Sequence, residues 1–249
     1  MTLKSKIIQT IEERKKWCKD YPYDMISAYN REIETEKEYN GRQLLELLQN
    51  ADDENSNEVL IIVDTNENLL QISNKGENCR PFSYEGIRSL MISNLSSKTT
   101  KKYIGNKGLG FRSIINWNEK ITINSNNLDI IFSKEIVSLI YDELFDKNQH
   151  QHLIKERNLP LSIKPIPFLS IPRIEDNNNG NWTTTISIIF KNKFLEDIQK
   201  QLNELKEEIL LFLNSITRLT VIVDDNKVFD VKKEDLISKY TIYQKKEKL

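Results

Sequence analysis

The stretch that most constrains the fold is residues 41–53, which the sequence predicts to be an amphipathic helix. Its four leucines form an apolar stripe among residues of high helix propensity. Glu46, Asn50 and Asp53 follow one another at spacings of four and three residues, so all three project from one face. A carboxylate, an amide and a carboxylate beside a leucine stripe fit either a solvated helix face or a polar site. The segment alone does not decide between these two interpretations.

The composition is that of a globular protein, with 249 residues, of which 38% are hydrophobic and 29% charged. The net charge of -1 gives no field that attracts nucleic acid or anionic lipid, so we expect neither direct nucleic-acid binding nor membrane association. No apolar run is long enough to span a membrane, and the N-terminal residues lack the apolar region of a signal peptide. We therefore expect a cytoplasmic protein.

The cysteines and histidines are few and suggest no covalent or metal framework. Cys18 and Cys79 are far apart, and two cysteines do not indicate a disulfide-stabilised fold, which fits a reducing compartment. His150 and His152 lie in a polar run without the other ligands of a zinc site, and a surface loop is the favoured interpretation.

Hydrophobic periodicity predicts a succession of helices and hairpins. Helices are predicted over 3–19, 24–38, 84–91, 133–148 and 194–214. Hairpins are predicted from 58–64 with 68–73, from 119–125 with 127–132, and over 219–231 with a turn at Asp225-Asn226. A buried strand is predicted over 182–190, and the Pro-rich segment 158–175 suits an extended connection or an edge strand. The lysine-rich residues 233–249 are expected to complete no element.

A glycine-rich and lysine-rich segment precedes residue 111. Gly105, Gly108 and Gly110 are three of only seven glycines in the chain, and four lysines lie at positions 98, 101, 102 and 107. Such a concentration indicates positive φ or close approach of the backbone to a ligand. A helix predicted over 110–117 would direct its N-terminus at this loop, and amides, a helix N-terminus and lysines together suit a polyphosphate. The simpler alternative is a flexible basic loop.

These pieces, in this order, resemble the GHKL superfamily of ATPases (gyrase, heat-shock chaperone, histidine kinase, mismatch repair), which share the Bergerat fold. The resemblance covers about residues 24–232 and is closest to the sacsin and ninety-kilodalton-chaperone-like branch. It rests on YNGRQLLELLQNADD over 39–53, ISNKG over 72–76, SSK over 96–98, IGNKGLGFRS over 104–113 and TTI over 184–186.

The resemblance implies a fold class and a domain organisation. The fold is a two-layer α/β sandwich, with a mixed, largely antiparallel sheet, helices on one face, and a lid over about 94–110. Residues 1–40 would be a helical extension, 41–232 the ATP-binding domain, and 233–249 the start of a following segment or a tail.

The resemblance also implies a role for each residue that matches a family motif. Glu46 would be the general base, Asn50 the Mg²⁺ ligand, and Asp53 a pocket residue near ribose and adenine. Thr184 would help hold the base, with Thr183 and Thr185 as alternatives under a one-residue shift. The other implied nucleotide-binding residues are Asn74, Gly76, Ser97, Lys98, Gly105, Asn106, Lys107, Gly108, Leu109, Gly110 and Phe111.

The chain departs from the family at the turn that reads adenine. The family pattern there is Asp-x-Gly-x-Gly, whereas this chain has Asn74, Gly76 and then Asn78. An aspartate only accepts hydrogen bonds, while an asparagine amide carries both an acceptor and a donor. Preference for adenine is therefore less secure than binding of phosphates.

The function implied is a slow, Mg²⁺-dependent ATPase that acts as a conformational or dimerisation switch, with ATP and either a second copy or a downstream effector as partners. The alternative is a non-hydrolysing nucleotide sensor that gates an effector domain. A histidine kinase is disfavoured because Glu46 suits water activation. Large bacterial proteins with similar N-terminal sequences are associated with anti-phage defence, which the resemblance implies as a biological setting.

Overall fold

An eight-stranded sheet forms the centre of the computed structural model, which describes residues 1–38, 41–92, 111, 113–178 and 180–246. The strand order is β5-β4-β3-β6-β2-β1-β7-β8, and β1 and β7 are the one parallel pair in this described sheet. The strands are β1 (Glu58–Asp64), β2 (Leu69–Lys75), β3 (Asn118–Ser125), β4 (Leu128–Ser133), β5 (Arg173–Asp176), β6 (Thr184–Phe190), β7 (Arg218–Val223) and β8 (Asn226–Lys232).

Helices precede, interrupt and follow the strands along the chain. They are α1 (Leu3–Asp20), α2 (Pro22–Glu38), α3 (Gln43–Asp53), α4 (Tyr84–Met91), α5 (Lys134–Leu144), α6 (Lys147–Glu156), α7 (Leu195–Glu204) and α8 (Lys233–Lys246). Short 3₁₀ segments span Ser113–Trp117, Asn192–Phe194 and Glu207–Leu211.

Alternation along the strands gives the sheet a buried face and a more exposed face. In β1, Val59, Ile61 and Val63 are buried, and the residues between them are partly exposed. The leucines of α3 belong to the same hydrophobic core as these valines and isoleucines. The expected two-layer α/β sandwich with a largely antiparallel sheet is therefore confirmed.

Two long helices predicted from periodicity are each interrupted. The helix predicted over 133–148 ends earlier, at Leu144, and Asp146 caps a new helix. The Asp146 carboxylate accepts the backbone N–H groups of Asn148 and Gln149. His150 and His152 consequently lie on α6 and not in a loop. The helix predicted over 194–214 ends at Glu204, where Leu205 turns extended, and a 3₁₀ segment follows.

Three further boundaries differ from the sequence prediction. The residues just before β3 form a 3₁₀ segment, Ser113–Trp117, where the helix over 110–117 was predicted. Asp224 and Asp225, with φ of 47° and 62°, form the last hairpin turn one residue earlier than predicted, because a two-residue turn of this kind needs positive φ at both positions. The lysine-rich residues expected to complete no element form α8.

The N-terminal end of α3 is held by a pair of buried glutamines. The Gln43 side-chain oxygen accepts the backbone N–H groups of Gly41 and Arg42, each at 3.0 Å, and the Gln201 amide at 2.7 Å. Gln201 on α7 in turn accepts the backbone N–H of Leu44 at 3.2 Å. This exchange satisfies amides that a helix N-terminus leaves without partners, and it fixes α3 to α7.

The C-terminal end of α3 is held by one carboxylate. Asp52, only 7% exposed, accepts the backbone N–H groups of Asn214 at 2.8 Å, Ser215 at 2.6 Å and Ile216 at 3.0 Å. Hydrogen bonds to an ionised acceptor are roughly twice as strong as neutral ones. Asp52 therefore ties the last turn of α3 to the chain that enters β7.

We predict that Asp52→Asn lowers the free energy of unfolding by about 2–4 kcal/mol, because the new NH₂ group faces amide donors in a buried place. Urea unfolding measures the change. Asp20→Asn, an exposed residue at the end of α1, is the matched control and should change the free energy by less than about 0.5 kcal/mol. Equal effects of the two substitutions would contradict the anchoring role of Asp52.

Candidate functional site

Three polar side chains form a row at one end of the sheet, which we call the polar floor: Asn74, Thr184 and Ser125. Asn74 on β2 lies opposite Thr184 on β6, and Thr184 lies opposite Ser125 on β3. Directly opposed residues point to the same face, and Val59, opposite Asn74 on its other side, places that face toward the core. All three side chains are at most 6% exposed.

The hydroxyl groups of the polar floor hold each other. Ser125 Oγ and Thr184 Oγ1 are 3.0 Å apart, and Ser125 Oγ also accepts the backbone N–H of Phe82 at 3.1 Å. Thr185, the alternative for Thr184, points to the opposite face, where its hydroxyl lies 2.9 Å from that of Ser73. Thr184 is thus the β6 threonine whose side chain shares a row with Asn74.

The amide of Asn74 is oriented by two neighbours. Its Nδ2 donates to Ser56 Oγ at 2.8 Å and to Cys79 Sγ at 3.2 Å, and those two atoms are 3.3 Å apart. Within the described part of the chain, Asn74 Oδ1 accepts no hydrogen bond. It is also absent from the set of solvent-inaccessible side-chain atoms that lack a partner, so it is not cut off from solvent. One acceptor of the polar floor therefore remains open to a ligand.

Gly76 is explained by close approach of two backbone segments. A Cβ at this position would lie 2.6 Å from Asn57 Oδ1, 2.7 Å from the Asn57 backbone nitrogen and 3.1 Å from the Asn55 carbonyl oxygen. The backbone N–H of Asn57 also donates to the Lys75 carbonyl at 2.8 Å. The turn that follows Asn74 therefore requires a glycine for packing, whether or not a ligand is bound.

Arg80 joins that turn to the end of α3. Its guanidinium donates to the Asp53 carbonyl at 2.6 Å and to the Glu54 carboxylate at 2.9 Å, while its backbone N–H donates to the Glu54 carbonyl at 2.9 Å. The last turn of α3 consequently lies beside the segment that carries Asn74 and Cys79.

The predicted polar stripe of α3 lies along one flank of its buried face. Glu46 and Asn50 are partly exposed, next to the buried Gln43 and Leu47, whereas Asp53 is exposed. Because α3 is fixed at both ends, Glu46 and Asn50 project at set positions along a half-buried edge. Asp52, which the sequence prediction left without a role, is the aspartate that enters the interior.

The other predicted site residues divide into two groups. Phe111 is buried and packs edge-on against Phe82, with ring centroids 6.1 Å apart, so it makes a core contact. Ser97, Lys98, Gly105, Asn106, Lys107, Gly108, Leu109 and Gly110 lie outside the described residues.

Asn50 is the residue that the family resemblance assigns to Mg²⁺. Across the described ranges, no group of three or more His, Cys, Asp or Glu side chains could hold a metal ion. Asn50 offers one neutral oxygen, and Mg²⁺ completes its octahedron readily with phosphate oxygens and water.

Comparisons with known proteins give the following similarities. No protein-family model matches the chain. It is 25% identical over 209 residues to Protein NO VEIN of Arabidopsis thaliana. The matched region covers 79% of this chain but only 7% of the plant protein's length. A crystal structure of the N-terminal domain of a DNA repair protein aligns with 79% of this chain, over 54% of the length of that protein's own chain. The sequence identity is 14% and the TM-score is 0.46.

In the described residues, no helix is both long enough and apolar enough to cross a membrane.

The two cysteines differ sharply in environment. Cys18 is fully buried, and burial raises the pKa of its thiol to about 11. Cys79 is partly exposed at the edge of the polar floor. Reaction with a thiol reagent requires both access and thiolate.

We predict that Gly76→Ala destabilises the protein by about 1–3 kcal/mol, because its Cβ would overlap backbone atoms that cannot move away. Gly86→Ala is the matched control. Its Cβ meets nothing closer than 3.4 Å inside α4, so it should stabilise by about 0.5–1 kcal/mol. Denaturant unfolding measures both, and a neutral Gly76→Ala would show that the turn is not tightly packed.

We also predict that a thiol reagent modifies one cysteine per native chain and two after denaturation, because only Cys79 is accessible. Absorbance of the released thiolate counts the reacted groups. Cys79→Ser should abolish the fast reaction and leave the slow one, whereas a fast reaction in that variant would mean that Cys18 is exposed.

Proposed function

We propose that this chain is a GHKL-type domain that binds ATP with Mg²⁺, hydrolyses it slowly and acts as a conformational or dimerisation switch. The observation that carries the proposal is the joining of α3 to the polar floor through Ser56 and Arg80. Those contacts bring the helix that bears Glu46 and Asn50 to the same region as the open acceptor of Asn74. The superfamily motifs that contain Glu46, Asn74 and Thr184 fall on α3, β2 and β6.

In this proposal the two ends of the nucleotide meet different elements. The base lies on the polar floor, where Asn74 and Thr184 share one row of the sheet. The phosphates extend along the flank of α3 toward Asn50 and Glu46. Asn50 contributes a neutral oxygen to the cation that accompanies the triphosphate, and the cation offsets phosphate charge when it is bound.

Glu46 is proposed as the residue that positions and deprotonates the attacking water. The water oxygen forms a bond to the γ-phosphorus as the bond between that phosphorus and the β,γ-bridging oxygen breaks. The water proton passes to the Glu46 carboxylate, and ADP carries the electron pair of the broken bond. Glu46 is partly exposed on α3, so its carboxylate is accessible to a water molecule.

The second candidate function is a nucleotide sensor that does not hydrolyse ATP and gates a downstream effector. Asn74 favours it, because a neutral amide oxygen binds an amino group more weakly than a carboxylate does. Weaker retention suits a module that responds to the concentration of nucleotide. The two functions differ in one measurable property, steady-state release of phosphate.

We predict that Glu46→Gln keeps Mg-ATP affinity within about threefold and lowers phosphate release by about 100-fold or more, the usual contribution of a general base.

Asn50→Ala should weaken Mg-ATP binding by about tenfold, the loss of one charge-assisted contact. Gln49→Ala is the matched control, because Gln49 is an exposed neighbour on α3. Calorimetry measures binding, and a coupled phosphate assay measures turnover.

Two outcomes separate the candidates. Turnover in the wild type that survives Glu46→Gln would remove Glu46 as the base. Binding of Mg-ATP without any release of phosphate would favour the sensor, and absence of binding would reject both.

A further inference from the structure

The side-chain amide of Asn74 has a donor, Nδ2, and an acceptor, Oδ1. We propose that Ser56 and Cys79 fix the Asn74 amide with Oδ1 toward the ligand, so that the site selects a 6-amino purine over a 6-oxo purine. This inference rests on the proposed function, because it assumes that the site binds a nucleotide. Ser56 and Cys79 are thus positioning residues, and Asn74 is the residue that touches the base.

Geometry around Nδ2 carries the first step. Both amide protons have acceptors, Ser56 Oγ at 2.8 Å and Cys79 Sγ at 3.2 Å. The contact of 3.3 Å between those two acceptors closes a triangle of three side chains. Ser56 is fully buried, so its hydroxyl has no water to exchange for Nδ2. Rotation of the amide by half a turn would take both protons away from these acceptors.

Relative hydrogen-bond strengths carry the second step. After such a rotation, Oδ1 would depend on a hydroxyl and a thiol as donors, and the thiol is a weak one. The hydroxyl and thiol already contact each other, so a rotated amide would compete with that contact. The orientation with Nδ2 inward makes two N–H donations and keeps the contact between Ser56 and Cys79. It is therefore the favoured orientation.

The third step concerns what remains for a ligand. Ser125 Oγ donates to the Thr183 carbonyl at 3.2 Å, so the Thr184 hydroxyl donates to Ser125 Oγ, 3.0 Å away. Neither hydroxyl proton is then left for a ligand, and Asn74 Oδ1 offers it an acceptor. A 6-amino group donates to it, whereas a 6-oxo group would bring a second acceptor against it. A buried acceptor left without a donor weakens binding by about tenfold to a hundredfold. In this way an asparagine imitates the carboxylate of the family pattern.

The test compares ATP with ITP, which differ at the 6-position of the purine and in the protonation of N1. Calorimetric titration of the wild type should give affinity for ATP about tenfold or more above that for ITP, with GTP close to ITP. The Ser56→Ala/Cys79→Ala variant frees the amide to turn, so the preference should fall to within about threefold. Thermal unfolding of the same samples establishes that the variant is folded.

A rescue variant separates orientation of the amide from a general structural effect. Asn74→Asp added to the Ser56→Ala/Cys79→Ala variant presents an acceptor in either orientation, so it should restore the preference for ATP. A merely structural role of Ser56 and Cys79 would leave this triple variant as unselective as the double variant. Should the double variant fail to fold, the ratio of ATP affinity to ITP affinity, measured in the wild type and in Cys79→Ala, still tests the inference.

Each outcome has one meaning. Equal affinities of the wild type for ATP and ITP, or a preference for ITP, overturn the inference and leave the proposed function standing. Retention of the full preference in the double variant overturns the role of Ser56 and Cys79. Failure of the wild type to bind any nucleotide overturns the proposed function, and this inference with it.

Discussion

The buried carboxylate of Asp52 is the interaction on which the candidate site depends. Three backbone amides converge on it, and they belong to the segment that enters β7, far along the chain from α3. With the Gln43–Gln201 pair at the other end, Asp52 gives α3 two fixed points. A helix fixed only by its apolar stripe could slide or turn on the sheet. Fixed at both ends, it holds Glu46 and Asn50 at set positions on its half-buried flank.

The second constraint is the register of the sheet. Because Asn74 lies opposite Thr184 and Thr184 opposite Ser125, three polar side chains share one buried row among rows of isoleucine and valine. A shift of one residue in β6 would bring Thr185 opposite Asn74 in place of Thr184, and each side chain of β6 would then point to the other face of the sheet. Burial then makes hydrogen bonding decisive, since every polar atom in the row needs a partner or a ligand. The hydroxyls have partners, and Asn74 Oδ1 is left open.

Local patterns in the sequence predicted most of the architecture. The α3 helix, the short helix Tyr84–Met91 and two hairpins follow from periodicity and turn residues, and the structure confirms them. The predictions failed where a single residue overrides a long pattern, as when Asp146 starts a new helix within the helix predicted over 133–148. Contacts between distant segments were also out of reach. The partners of Asp52 lie more than 160 residues away, and no periodicity signals that Ser56 and Cys79 would meet Asn74.

The most direct test of the central claim is hydrogen–deuterium exchange of the wild-type chain with and without Mg-ATP. Binding to the folded state slows exchange through the residues that the ligand stabilises. The account predicts slower exchange in α3 and in the turn from Asn74 to Arg80, with β8 and α6 unchanged. Unaltered exchange in α3 at saturating nucleotide, or protection confined to the distant elements, would contradict it.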